Sequence, residues 1–157
     1  MRYVPRVYAD TSVFGGVFDE EFEDASQRFV SLVEHGRFAL VTSALVEDEI
    51  RFAPLRVQDL FERLRLTAEI IDITADTLDL RSRYVEAGVV AARSWTDALH
   101  VAAATTSRCD FIVSWNFKHI VHFDKVPRYN AVNVLCGYHE IGIHSPLEMV
   151  SDEEEDF

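Results

Sequence analysis

Residues 93–104 read RSWTDALHVAAA, and the rest of the chain is organised around this stretch. Ser94 precedes Asp97 by three residues just before a long apolar run, a capping-box signature that predicts a helix beginning here. The following residues are apolar on nearly all sides of a helix, so the helix is expected to be buried. A carboxylate in its first turn lies at the edge of the core, where charge is unfavourable unless compensated. Asp97 therefore needs a partner, either backbone N–H groups of its own turn or a cation shared with other acids.

Composition limits the class of protein. The 157 residues are expected to form one domain over residues 1–150, followed by a solvated or disordered acidic tail at residues 151–157. No apolar run approaches the roughly 18 residues of a membrane helix and no signal-peptide core is evident, so we expect a cytoplasmic protein without membrane contact. The net charge of −12 disfavours binding nucleic acid through basic patches. It is compatible with phosphate contact through divalent cations, which carboxylates bind.

Apolar runs and helical spacings alternate along the chain. Strands are predicted near residues 7–9, 38–41, 70–73, 111–113 and 132–135, and helices near 22–34, 44–53, 56–66 and 74–87 and from residue 94, with a short helical segment at 117–121. Gly15 and Gly16 indicate a loop after the first strand. Strands separated by helices predict an α/β fold with a parallel sheet between helices. Ligands of such sheets bind beyond the carboxyl ends of the strands, where Asp10 and Asn116 would lie.

The predicted helix after Ser43 carries one acid that packing does not explain. Its apolar face contains Leu45, Val46, Ile50, Phe52 and Ala53. Glu49 projects within that face, whereas Glu47 and Arg51 project on the opposite side as an ordinary surface ion pair. The alternative for Glu49 is a position at the edge of the face, with its carboxylate reaching solvent.

Three acids from three segments are thus expected at one edge of the sheet. Asp10 has ordinary turn chemistry as its alternative, and Asp97 has helix capping. Glu49 would be the third acid at this edge. Burying three like charges together is prohibitive without a compensating cation. A Mg²⁺ or Mn²⁺ site is the simplest compensation.

Four short motifs, in consistent order and spacing, resemble a known family. They are Asp10-Thr-Ser after the first strand, Glu49-Ile six residues after Ser43, TDALHVAA at residues 96–103, and DFIVSWNFKHI at residues 110–120. Over about residues 5–143 the chain resembles the PIN-domain nucleases, most closely the VapC-like toxins of bacterial toxin–antitoxin pairs. The resemblance implies a three-layer α/β/α sandwich with a central, mainly parallel sheet. It also implies Mg²⁺- or Mn²⁺-dependent cleavage of single-stranded RNA.

The resemblance also implies roles for individual residues. By position, Asp10, Glu49 and Asp97 correspond to metal-binding acids of the family. Asn116 stands where the family often has a fourth acid. It could offer a carbonyl oxygen or hold water, but the lost charge makes a second metal ion an open question.

Other side chains near these acids are candidates for holding RNA. Thr11 and Ser12 could hydrogen-bond phosphate or water, with turn stabilisation as the alternative. Trp115 could stack on a base, whereas an aromatic after a buried strand is more often part of the core. His100, on the apolar helix, is interpreted as a hydrogen-bonded core histidine rather than a general base.

Partners follow from the resemblance alone. It implies a small antitoxin protein and a homodimer. The competing hypothesis is a catalytically silent PIN-like module that binds a basic protein segment across its acidic groove and cleaves nothing. The presence of Asp10, Glu49 and Asp97 together favours the enzyme.

Overall fold

The sheet is built around a short strand near the N-terminus whose last three residues are fully buried. The structure is a computed structural model that describes residues 3–155, with side chains described through residue 150. Within those residues the strands are β1 (Arg6–Ala9), β2 (Ala39–Ser43), β3 (Glu69–Ile71), β4 (Phe111–Val113) and β5 (Gly142–His144). They form one sheet in the order β3-β2-β1-β4-β5, and all neighbours are parallel. Because β1 lies in the middle, Val7, Tyr8 and Ala9 have no exposed surface.

Helices cover the sheet in two groups. They are α1 (Thr11–Gly16), α2 (Glu23–Glu34), α3 (Ala44–Ile50), α4 (Leu55–Leu64), α5 (Ala75–Glu86), α6 (Trp95–Thr106), α7 (Lys125–Leu135) and α8 (Pro146–Glu155). Helices α5, α6 and α7 pack together, whereas α1 to α4 and α8 form a second packed group. The predicted α/β/α sandwich with a parallel sheet is therefore confirmed. No helix within residues 3–155 is long and apolar enough to cross a bilayer.

Strand order places a crevice beside β1. The chain adds β2 and β3 on one side of β1, then crosses back to add β4 and β5 on the other side. Strand order therefore reverses between β1 and β4, where Ala9 pairs with Val113. Such a reversal opens a crevice at the carboxyl ends of the two strands, and open α/β sheets bind ligands there. The next residues along these strands are Asp10 and Ser114.

Helix α6 is buried as its sequence predicts, but it begins differently. All eight residues of Ala98–Thr105 are buried. Ser94 does not cap the helix: it ends a short 3-10 turn, Ala92–Ser94, and its side chain makes no capping hydrogen bond. The prediction of a capping box was wrong because the 3-10 turn leads directly into α6, leaving Ser94 without the extended backbone of a typical cap.

The two glycines predicted as a loop belong instead to α1. Gly16 ends this helix, and a Cβ built on it would lie 2.7 Å from Nε1 of Trp115 and 2.6 Å from Oγ of Ser26. The residue is therefore glycine because another part of the chain approaches its backbone, and not because the chain turns there.

The fifth strand was predicted in the wrong place. Residues 132–135 form the last turn of α7, where Tyr129, Val132 and Asn133 are buried at helical spacing. Val132 and Val134, with one residue between them, resemble a strand locally, but packing along the helix decides the structure. The actual β5 has only three residues, too few for a periodic signal. Residues 117–120 form a turn, not the predicted helical segment, in which Ile120 N–H donates to the Asn116 carbonyl.

The acidic C-terminal segment overlaps the last helix. The backbone of α8 continues to Glu155, so residues 151–155 belong to it. The side chains of residues 151–155, and residues 156–157 as a whole, lie outside the described part of the structure. The solvent exposure predicted for this tail stays a prediction.

Candidate active site

Asp10 sits at the crevice between β1 and β4. It follows β1 directly and caps α1, with its Oδ1 accepting from Ser12 N at 3.1 Å and from Ser12 Oγ at 2.6 Å. Its Oδ2 accepts from Ser114 Oγ, also at 2.6 Å. The Ser114 hydroxyl in turn accepts from Asn116 N–H at 2.9 Å. Both oxygens of this carboxylate are thus fixed by residues from the ends of two strands.

The Asp10 carboxylate is nearly inaccessible, with 4% exposure. Burial raises the pKa of this carboxyl above its ordinary value, although the nearby His100 ring and the hydrogen bonds from Ser114 and Ser12 oppose the shift. No lysine or arginine among the described residues forms an ion pair with it. A buried anion held only by neutral donors is a site that a cation would stabilise.

Glu49 approaches the same crevice from the last turn of α3. Its half-buried carboxylate accepts at Oε1 from Thr11 Oγ1 at 3.0 Å, and Nε2 of His100 lies 2.8 Å from the same oxygen. Burial acts to raise the pKa of Glu49, but the interactions with His100 and Thr11 outweigh it, so the pKa lies below its ordinary value. His100 is also hydrogen-bonded through Nδ1 to Tyr8 Oη, as expected of a core histidine.

Two details of the predicted Glu49 helix were wrong. Phe52 does not share its buried face: α3 ends at Ile50, and the ring is 87% exposed. The expected ion pair between Glu47 and Arg51 is absent as well. Arg51 pairs with Asp48 at 2.8 Å and Glu47 with Arg65 at 3.0 Å. The helical projection failed because it was extended beyond the end of the helix.

Asp97 lies in the first turn of α6 and is bonded to Asn116, a residue of the loop after β4. Asp10, Glu49 and Asp97 together form what we call the acidic edge. Asn116 Nδ2 donates to Asp97 Oδ1 at 3.0 Å, while Asn116 Oδ1 accepts from His119 N–H at 2.9 Å. A backbone N–H can only donate, so it fixes the orientation of the amide and turns the NH₂ group toward the carboxylate. The partner of Asp97 is therefore a neutral amide rather than the backbone of its own helix.

The candidate RNA-binding residues are already engaged within the protein. Thr11 and Ser12 donate to Glu49 and Asp10, and Ser12 Oγ also accepts from Trp115 N at 2.9 Å. The Trp115 ring is stacked on Phe22 with centroids 4.3 Å apart, and its indole N–H donates to Ser26. Contact of these residues with RNA stays a prediction, whereas their internal contacts fix the acids and the loop after β4.

Sequence reasoning missed Ser114, whose hydroxyl joins the two halves of the site. It donates to Asp10 and accepts from the backbone of Asn116, which in turn holds Asp97. Its position immediately after β4 and before Asn116 was the available signal. Nothing local in the sequence showed that its partner would be 104 residues away.

The donor chemistry at this edge fits a hard divalent cation. Asp10, Glu49 and Asp97 supply carboxylate oxygens, the ligands that Mg²⁺ and Mn²⁺ prefer. Asn116 presents its NH₂ group rather than its oxygen to Asp97. No three His, Cys, Asp or Glu side chains in the described part of the chain already converge as a ligand set. Like charges repel one another, so joint ligation by the three acids requires side-chain rotation that a cation would favour.

Solved structures share the fold. One is VapBC2 from Rickettsia felis, bound to a DNA fragment from its own promoter, with 14% identity and a TM-score of 0.57. The match covers 89% of this chain and 98% of that chain. Mycobacterium tuberculosis VapC20, a sarcin-ricin loop cleaving toxin, has 15% identity and a TM-score of 0.53, with 86% and 98% covered. At these identities the likeness concerns the fold alone.

Comparison of the sequence itself is more decisive. A search of curated proteins finds no match. The sequence profile of the PIN domain matches residues 6–118, a span that contains all three acids as well as Ser114 and Asn116. This match covers more than half of the chain, and the chain therefore belongs to the PIN domain family.

Proposed function

We propose that this chain is a Mg²⁺- or Mn²⁺-dependent endoribonuclease that hydrolyses phosphodiester bonds of single-stranded RNA, as the toxin of a toxin–antitoxin pair. The observation that carries the proposal is the buried Asp10 carboxylate, held by neutral donors at the strand-order reversal. The adjacent Thr11 donates to Glu49, and Ser114 leads through Asn116 to Asp97. Membership of the PIN domain family supports nuclease activity. The fold shared with VapC20, a toxin that cleaves the sarcin-ricin loop, supports RNA as the substrate.

The three acids would contribute differently to binding the ion because their surroundings differ. Asp10, Glu49 and Asp97 would hold the ion, with Asp10 as the rigid member because both its oxygens are fixed. A bound ion would lower the pKa of a water molecule and neutralise charge developing on the phosphate oxygens. Asn116 orients the Asp97 carboxylate through its amide and adds no charge of its own.

Two exposed cations lie close in sequence to Asp97 and Asn116 and are candidates for phosphate contact. Arg93 lies four residues before Asp97, and Lys118 lies two residues after Asn116. Neither forms an ion pair with a carboxylate within the described residues. Charge neutralisation by such side chains supplies sequence-independent affinity for RNA. In a chain with a net charge of −12, these two side chains would give RNA a local region of positive charge.

The proposed partners are a small antitoxin and a second copy of the chain, and the proposed location is the cytoplasm. The antitoxin rests on the resemblance to VapC-like toxins and on the fold shared with VapBC2. A basic antitoxin segment would suit the acidic edge through charge complementarity.

The test measures cleavage of a panel of single-stranded RNAs by the purified chain, freed of antitoxin, with Mn²⁺. We expect cleavage that EDTA abolishes. We also expect the Asp97→Asn variant to lose at least about a hundredfold in rate, because a metal-binding carboxylate contributes several kcal/mol of charge stabilisation at about 1.4 kcal/mol per tenfold. Asp79→Asn is the matched control: Asp79 is an exposed helical aspartate whose ion pair with Arg83 is 3.9 Å long.

The outcomes separate the enzyme from the silent module. Loss of cleavage with EDTA and in Asp97→Asn, but not in Asp79→Asn, would support the proposed enzyme. Absence of cleavage over a broad RNA panel, with Mn²⁺ binding demonstrated, would instead favour a PIN-like module that binds a basic segment without turnover.

A further inference from the structure

A chain of hydrogen bonds runs from Glu49 into the core. Glu49 Oε1 lies 2.8 Å from His100 Nε2, His100 Nδ1 lies 2.8 Å from Tyr8 Oη, and Tyr8 Oη lies 2.8 Å from Ser43 Oγ. Val46 N–H donates to Ser43 Oγ at 3.3 Å and so closes the inner end. These four side chains, which we call the Glu49 chain, come from α3, α6, β1 and the end of β2. The inner members are almost wholly buried.

Both ends of the Glu49 chain limit where its hydrogens can be. A carboxylate only accepts, so His100 Nε2 must carry a hydrogen and donate to Glu49. At the inner end Ser43 Oγ already accepts from Val46 N–H, and among the described residues the only other hydrogen-bond partner of this hydroxyl is Tyr8 Oη. If Ser43 donates to Tyr8, then Tyr8 donates to His100 Nδ1, and every hydrogen in the chain is used. The reverse direction leaves the buried Ser43 hydroxyl hydrogen unpaired, which is unfavourable.

The direction of these bonds determines the form of the histidine. His100 is held as the tautomer with hydrogen on Nε2 and the acceptor at Nδ1. Thr11 Oγ1 donates to the same Glu49 oxygen at 3.0 Å, so Oε1 is held by two donors. Glu49 Oε2 accepts no hydrogen bond from the described side chains. One oxygen of this flexible side chain is therefore an anchor, and the other is left for an external ligand.

Packing does not account for the Glu49 chain. The buried residues of helix α6 on either side of His100 are alanine, leucine and valine up to Ala104, and the β1 residues beside Tyr8, Val7 and Ala9, are apolar. Buried polar groups are tolerated when paired, but apolar side chains of similar volume would fill the same space without requiring partners from four elements. The residues align toward one carboxylate at the candidate active site.

We infer that His100 is a positioning residue for Glu49, and that Tyr8 and Ser43 act through it by holding the ring at Nδ1. This inference rests on the proposed function, since the orientation matters only if Glu49 serves a metal ion or the reacting water. Hydrogen-bond partners behind a ligating residue orient that ligand, and their loss typically lowers metal affinity or activity about 10–100-fold.

The first experiment observes the tautomer in the metal-free protein without RNA. Protein with ¹⁵N-labelled histidine is studied by long-range ¹H–¹⁵N NMR, and the His100 signals are assigned by their loss in His100→Gln. We expect His100 as the Nε2–H tautomer in the wild type. In Tyr8→Phe, which removes only the hydroxyl, we expect a shifted Nδ1 resonance, because Nδ1 loses its donor while Nε2 still faces the Glu49 carboxylate. A neutral His100 with hydrogen on Nδ1 in the wild type would overturn the inference.

The second experiment compares two buried tyrosines. Tyr84→Phe is the matched control, because the Tyr84 hydroxyl is also buried and hydrogen-bonded, to Asn133, but lies outside the Glu49 chain. Mn²⁺ affinity is measured by calorimetry, and kcat and KM are measured on a cleaved RNA. Tyr8→Phe should weaken Mn²⁺ binding and lower kcat about 10–100-fold with little change in KM. Tyr84→Phe should leave all three within about twofold, since its hydroxyl has no link to the ligating residues.

A third comparison tests whether the hydrogen bond donated by His100 or the volume of its side chain matters. His100→Gln keeps an amide donor near the place of Nε2, whereas His100→Ala removes it. Recovery of Mn²⁺ affinity in His100→Gln relative to His100→Ala supports positioning. Equal Mn²⁺ affinity in Tyr8→Phe and Tyr84→Phe would reduce the Glu49 chain to core packing. If the chain cleaves no RNA but the tautomer, the Nδ1 resonance and the Mn²⁺ affinity are as expected, the proposed function fails and the positioning role stands.

Discussion

Acids lie at both ends of the sheet, but their surroundings differ. At the carboxyl end Asp10 follows β1 and is held by serine hydroxyls and a backbone N–H. At the amino end Asp110 precedes β4 and accepts from the backbone N–H of Arg6 at 2.8 Å, while the Arg6 guanidinium pairs with Glu69 at 2.6 Å. The amino end also has a cavity of about 660 Å³, lined in part by Asp110 and Arg108.

The cavity at the amino end is therefore not where the unbalanced charge lies. At the amino end Arg6 supplies a cation to Glu69 and a backbone N–H to Asp110. At the carboxyl end the buried Asp10 has no such cation among the described residues. A carboxylate that is buried without a cation indicates a functional site more directly than the volume of a cavity does.

The largest expected effect appears when one aspartate at each end of the sheet is replaced by asparagine and the cleavage rates are compared. Asp10→Asn should lower RNA cleavage by about a thousandfold or more, because loss of a metal-binding carboxylate removes several kcal/mol of charge stabilisation. Asp110→Asn keeps an acceptor for Arg6 N–H and should leave the rate within about twofold, as expected for a substitution remote from the site. Cleavage rates on one RNA at saturating Mn²⁺ measure both.

Unfolding of the metal-free Asp10→Asn variant is the control. Removing a buried, uncompensated charge should leave its free energy of unfolding unchanged or raised. An equal loss of activity in both variants would show that the two ends of the sheet do not differ in the proposed way.

Mn²⁺ should produce the next largest effect, as a rise in melting temperature. At about 100 times the Kd, a ligand that binds only the folded state adds about 2.7 kcal/mol, which corresponds to about 5–10 °C for a chain of this size. The wild type and Asp110→Asn should both show the rise, whereas Asp10→Asn should not. Calorimetric scans with and without Mn²⁺ test this, and a rise that persists in Asp10→Asn would place the cation elsewhere.

The smallest effect concerns the ion pair at the amino end. The hydrogen bond from Arg6 lowers the pKa of Glu69 below its ordinary value. A carboxyl whose pKa is lower in the folded state stabilises the protein above its unfolded pKa, and this contribution is lost as the pH falls through the folded pKa. Because the pair is partly exposed, Glu69→Gln should lower the free energy of unfolding by about 1 kcal/mol or less at pH 7.

Urea unfolding at several pH values measures this contribution. The difference between wild type and Glu69→Gln should shrink toward zero as the pH falls below the Glu69 pKa, with cleavage at pH 7 unchanged. A difference that grows on acidification would mean that Glu69 does not stabilise the fold as a carboxylate.

Features that depend on local patterns could be predicted from the sequence. The buried character of α6 followed from an apolar run, and the position of Asp10 at the end of β1 followed from a strand pattern ending in turn residues. These features are local because burial of a helix or strand is encoded by the spacing of its own side chains. Residues 132–135 show the limit, since the short stretch Val-Asn-Val-Leu suits either a strand or one turn of α7.

The connections between segments were decided only by tertiary structure. Ser114 reaches Asp10 across 104 positions, and His100 reaches Tyr8 across 92. The sequence by itself determined the α/β architecture and the acidic residues available to the site. Which donor meets each carboxylate depended on strand order and on the packing of α6 beside β1, because a hydrogen bond requires atoms within about 3 Å and no local pattern encodes that distance.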